Sequence, residues 1–67
     1  MNITVWNERE RSTLKVDFTG TTVQELLRHL AINPETILVV RNQQVITGTE
    51  TLREQDRLEL LSVISGG

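Results

Sequence analysis

Thr22-Val23-Gln24-Glu25-Leu26-Leu27-Arg28-His29-Leu30 is the stretch on which the fold turns. Its apolar residues, Val23, Leu26, Leu27 and Leu30, recur at offsets of three, four and seven, the spacing of one face of an amphipathic helix. Gln24, Glu25, Arg28 and His29 take the solvent side. Thr22 followed by Glu25 has the form of a capping box, in which hydroxyl and carboxylate satisfy the amides left without partners at a helix start. Gly20 breaks the pattern upstream. Downstream, Pro34 drives Asn33 out of helical dihedrals, so the helix ends before it.

On either side of this helix the period is two. Asn2 to Asn7 places Ile3 and Val5 on one side and Thr4 and Trp6 on the other. Glu8 to Ser12 is a polar connection, and Thr13 to Phe18 alternates again with Leu14, Val16 and Phe18 inward, so the two runs read as a hairpin. After the helix come Ile37 to Arg41, a tight turn at Asn42-Gln43, and a short strand Gln44 to Ile46. Thr47 to Asp56 reads as a polar crossover loop from which Leu52 dips into the core. A last strand runs from Arg57 to about Ile64, with Leu58 and Leu60 toward the helix. One helix against one mixed sheet is an α+β roll.

With 67 residues the chain forms one domain, too small to enclose a deep catalytic cleft. It has no cysteine, which removes disulfides, thiolate metal sites and a cysteine nucleophile together. A net charge of −2 without like-charge blocks gives no reason to bind phosphate backbones directly, so no nucleic-acid contact is expected. No apolar run is long enough to span a membrane, and the N-terminus has no signal-peptide pattern, so the cytoplasm is the expected location.

The last strand leads into Ser65-Gly66-Gly67. Glycine lets a backbone pass a narrow channel or lie against a ligand, because it has no Cβ. A terminal carboxylate is ionised at neutral pH and can attack the α-phosphate of ATP when a partner positions both. The resulting acyl adenylate is open to sulfide or persulfide, giving a thiocarboxylate, or to an amine, giving an amide. No Gly-rich phosphate loop is present. The domain is thus expected to bind no cofactor itself, and an activating enzyme must bring ATP and magnesium.

The strand-strand-helix-strand-strand order, closing on Gly66-Gly67, resembles the β-grasp fold of ubiquitin and its sulfur-carrier relatives. Asn33-Pro34-Glu35-Thr36 before a strand, Leu52-Arg53-Glu54-Gln55-Asp56, and Leu58 through Gly67 resemble the thiamine-type and molybdopterin-type carriers. Among these the chain is most similar to the carriers that serve two-thiouridine synthesis in transfer RNA. The resemblance covers nearly the whole chain, although only the tail is a strict motif. It implies a β-grasp domain at residues 1–64 with a tail at 65–67, adenylation of Gly67, conversion to a thiocarboxylate and delivery of sulfur to a second enzyme. Gly66 would give clearance in the partner's channel. Ser65 would offer a hydroxyl to a partner's backbone and take no part in the chemistry. Some relatives are also attached through this glycine to lysines of target proteins.

In the β-grasp arrangement the first and last strands are neighbours. Trp6, Leu61 and Val63 are then expected to gather on the sheet face that the helix leaves uncovered, with Ile37, Val39 and Arg41 assigned there on the third strand. An apolar patch on a small domain marks a partner surface, and tryptophan is a favoured anchor. The competing reading is that the polar loop folds over these residues. His29, the lone histidine, is read as a solvated surface group. The scattered carboxylates Glu8, Glu10, Glu35, Glu50, Glu54 and Asp56 place no acid–base pair across a cleft. Lys15, the sole lysine, is an edge-strand charge.

A sulfur carrier, a protein modifier conjugated through Gly67, and a passive interaction module all remain open on these residues. The first two share the adenylate. Thiamine and molybdopterin synthesis stand behind transfer RNA as destinations of the sulfur.

Overall fold

The computed structural model describes residues 1–63; Ile64, Ser65, Gly66 and Gly67, including the expected tail and its boundary, lie outside the described residues. The chain runs β1 (Asn2–Asn7), β2 (Ser12–Asp17), α1 (Val23–His29), a 3-10 turn (Pro34–Thr36), β3 (Ile37–Arg41), β4 (Gln44–Ile46) and β5 (Arg57–Ser62). The five strands form one sheet in the order β2-β1-β5-β3-β4. β1 and β5 are parallel neighbours at its centre, and the other pairs are antiparallel.

Local chemistry explains the boundaries. The capping box forms as expected: the Thr22 hydroxyl accepts from the Glu25 N–H, and Glu25 Oε1 accepts from the Thr22 N–H at 3.1 Å and the Thr21 N–H at 3.2 Å. These two amides, Thr22 first, hold the Glu25 carboxyl below its ordinary pKa. At the other end, Ile32 N–H donates to Leu27 O and Ala31 N–H to Arg28 O, a Schellman closure that puts Ala31 at φ 58°. A Cβ in that left-handed region costs about 1–2 kcal/mol. Ala31→Gly is therefore expected to stabilise the domain by about 0.5–1 kcal/mol after the looser unfolded chain is counted, read as a higher urea midpoint. At the β3–β4 turn Asn42 and Gln43 both have positive φ, 54° and 66°, as a two-residue hairpin turn of matching twist requires.

The core is Ile3, Val5, Val16, Phe18, Val23, Leu26, Leu27, Val39, Leu52, Leu58 and Leu60. Leu52 enters from the crossover loop, as its isolated position predicts. Gly20 lies against the Phe18 ring so closely that a Cβ would sit 2.4 Å from Phe18 Cζ.

Three expectations change. Leu14 is on the core side, opposite Val5, yet remains 51% exposed. A seven-residue helix is only about 10 Å long, half the length of a six-residue strand, so it cannot cover that end of the hairpin. β5 ends at Ser62, short of Ile64. On β3 the faces are exchanged: Val39 pairs with Leu60, shares its direction and is 6% exposed, so Ile37, Val39 and Arg41 lie on the helix side while Leu38 and Val40 face outward. Partners in register point the same way, and Leu60 is inward.

Candidate functional site: the uncovered sheet face and the end of β5

The register fixes the outer face residue by residue. One row crosses the whole sheet as Thr13, Trp6, Glu59, Val40 and Val45. On the hairpin side the next row is Lys15, Thr4 and Arg57. On the β3 side Leu61 stands directly opposite Leu38.

Trp6 therefore sits beside Glu59 and diagonal to Arg57 and Leu61, a separation long side chains can span. It is half-buried and lines a shallow basin with Thr4, Thr13, Lys15, Arg57 and Glu59. Leu38 is 42% exposed, Val45 62% and Val63 44%. The exposed apolar part of this face is thus Leu38, Leu61 and Val45, beside Val40, which is covered at 9% exposure, with Val63 following the strand end and Trp6 at the border of a polar half. The sequence alone assigns neither Leu38 nor Val45 a side: Leu38 lies in the unbroken apolar run Ile37-Leu38-Val39-Val40, which has no period, and β4, Gln44–Ile46, is too short to show one.

The crossover loop does not depend on these outer residues. Arg41, reaching to the helix side, donates to Thr51 O at 2.9 Å, to Asp56 Oδ2 at 3.1 Å and to Glu50 Oε1 at 2.8 Å. Asp56 Oδ2 also accepts from the Arg53 N–H at 2.8 Å. This explains two of the scattered carboxylates: Glu50 and Asp56 meet at Arg41 and tie the loop to β3. Alternation alone assigns Arg41 to the outer face, but the register that turns Val39 inward turns Arg41 inward with it.

His29 is exposed and tilts over Phe18, with ring centroids 6.0 Å apart. Lys15 is exposed, whereas the N-terminal ammonium donates to Phe18 O at 2.7 Å within the sheet. Among the described residues no group of three His, Asp or Glu side chains gathers as a metal site, and no helix is long and apolar enough to cross a membrane.

β5 ends between two supports. The Ser62 N–H donates to Glu8 Oε1 at 3.1 Å, on the β1 side, and the Val63 N–H donates to Thr36 O at 3.1 Å, on the β3 side. Ile64, Ser65, Gly66 and Gly67 follow in sequence, so three of the expected site residues lie outside the described residues while Trp6, Leu61 and Val63 are placed.

A small domain with this strand order, a parallel central pair and one helix is a ubiquitin-like β-grasp protein. The Caldiarchaeum subterraneum ubiquitin superposes with a TM-score of 0.71 at 19% identity, covering 100% of this chain and 98% of that one. A ubiquitin-like protein from the same archaeon gives 0.64 at 18% identity, with 98% and 100% covered. At such identities the likeness is one of fold.

Sequence comparison goes further. The ThiS family matches residues 5–67. The sulfur carrier protein TtuB of Thermus thermophilus is 47% identical over 45 residues, 67% of this chain and 69% of that protein. The chain belongs to the ThiS family, the sulfur-carrier class that its last strand and tail resemble.

Proposed function

We propose that this protein carries sulfur on the carboxyl group of Gly67. The observation that carries the reading is the ThiS-family match extending through that glycine, on a domain whose last strand lies between β1 and β3. The Gly67 carboxylate attacks the α-phosphorus of ATP and pyrophosphate leaves. Hydrosulfide then displaces AMP from the acyl adenylate and a thiocarboxylate results. With a persulfide donor the product is an acyl disulfide, whose S–S bond a thiol must reduce to leave the thiocarboxylate. ATP, magnesium and the sulfur source belong to an adenylating enzyme, for which this chain is a protein cosubstrate and not itself the catalyst. A second enzyme accepts the sulfur. Thiolation of transfer RNA is the destination favoured by the resemblance of the chain as a whole to the two-thiouridine carriers and by its 47% identity to TtuB over 45 residues. The cytoplasm is the setting in which these partners meet.

The adenylating enzyme docks on the outer face, where Trp6, Leu61 and Val63 stand with Leu38 before the chain runs on through Ser65 and Gly66. An exposed apolar cluster beside a tryptophan supports this placement. Trp6→Ala is expected to leave the domain folded and to lower kcat/KM for ATP–pyrophosphate exchange by about tenfold or more. Unchanged kinetics would take Trp6 out of the docking surface.

Intact-mass spectrometry of the chain incubated with the adenylating enzyme, ATP and sulfide tests the reading. Replacement of one terminal oxygen by sulfur is the expected result. Covalent adducts through lysines of other proteins, with no such exchange, would instead make it a modifier. An unaltered chain in the presence of an active enzyme would end both.

A further inference from the structure

The rung that closes β5 against β1 is made by a side chain. In the parallel β1–β5 ladder, Thr4 donates to Asp56 O and Glu8 to Leu60 O, at 2.9 and 3.0 Å. The same alternation makes the Glu8 carbonyl the next acceptor, for the Ser62 N–H. That carbonyl is already engaged: the chain turns away after Asn7, and Glu8 O accepts from the Arg11 N–H inside the turn. The turn is independently set by Asn7 Oδ1, which accepts from the Arg9 and Glu10 amides at 3.0 and 3.4 Å. The Glu8 carboxylate takes the vacated place and accepts the Ser62 N–H at 3.1 Å. Across the strand, Thr36 O accepts from Val63.

We propose that Glu8 is a positioning residue for activation: its carboxylate clips Ser62 to the end of β1 and so fixes the point from which the chain continues to Gly67. The inference rests on the sulfur-carrier reading and names a residue that reading does not use. Glu8 lies on the β1–β2 turn, far from Gly67 in sequence, and its side chain reaches the strand that bears the reactive end. Releasing the clip frees the backbone at Ser62, and the activating enzyme must then order it on docking. That cost falls on association, because the assembled complex and its chemistry are unchanged.

The test uses the full chain, with Glu8→Ala and Glu8→Gln, in ATP–pyrophosphate exchange with the adenylating enzyme of the same organism. Glu8→Ala is expected to raise the KM for the carrier by about threefold to tenfold, the weight of one hydrogen bond, with kcat unchanged. Glu8→Gln keeps an acceptor oxygen and is expected to stay within about twofold of wild type. Amide hydrogen exchange on the free proteins should show Ser62 faster in Glu8→Ala and the Leu58 and Leu60 amides unchanged. A wild-type KM in Glu8→Ala, a loss confined to kcat, or a Glu8→Gln as impaired as Glu8→Ala would overturn the assignment. If the wild-type chain itself supports no exchange, the carrier reading fails and takes the Glu8 assignment with it. Wild-type turnover with an indifferent Glu8→Ala sinks the Glu8 assignment alone.

Discussion

A chain lacking Gly67 is expected to fold normally and to lose ATP–pyrophosphate exchange by a factor of about one hundred or more. Truncation by one residue leaves a carboxylate, now on Gly66, so neither charge nor nucleophile type changes. What changes is reach: one extended residue is about 3.3–3.6 Å of chain. Attack on phosphorus needs the reacting atoms about 3–3.5 Å apart and aligned, and a misplacement of about 1 Å can cost a hundredfold. A docked domain held by its outer face cannot advance to make up that length without giving up the contacts that dock it. Among the described residues every core member lies between Ile3 and Leu60, so circular dichroism and the urea midpoint should be unaltered. Full exchange activity in the truncated chain would mean that adenylation does not depend on reach to Gly67.

Leu26→Ala is expected to destabilise the domain by about 3–5 kcal/mol. The seven-residue α1 is too short to persist alone. It is held by Val23, Leu26 and Leu27, and Leu26 is fully buried. Alanine preserves helix propensity, so the loss is one of packing and cavity. Stability of about 0.05–0.15 kcal/mol per residue gives this domain roughly 3–10 kcal/mol in total, and the substitution removes a large part of it. The midpoint of thermal unfolding should fall by more than about 12 °C. Leu38→Ala, on the outer face and 42% exposed, removes the same atoms and should cost less than about 1 kcal/mol. Equal costs at the two positions would mean that the outer face is not the solvent side of the sheet.

The two halves of this protein were unequally legible. Helix, hairpin and capping box could be read because each is a short-range matter: the offsets of Val23, Leu26 and Leu27, the alternation of Ile3 and Val5, and a hydroxyl three residues from a carboxylate. The proposed reactive end stands out for a different reason, since Gly66-Gly67 is a chemical feature that needs no partner within the chain to be recognised. The uncovered sheet face was half legible. Trp6 and Leu61 could be assigned from alternating strands, but Leu38 and Val45 could not.

Sequence alone determined the α+β roll, the single small core and the chemistry available at a glycine carboxylate, because periodicity, capping and functional-group identity are carried by neighbouring residues. Tertiary structure alone decided which way β3 faces, since Ile37 to Val40 is apolar on both sides and only pairing with Leu60 and Leu61 orients it. It decided that Arg41 gathers Glu50 and Asp56, and that Glu8 reaches Ser62. Those contacts join residues far apart in the chain, and no local pattern records a distance that exists only once the sheet has closed.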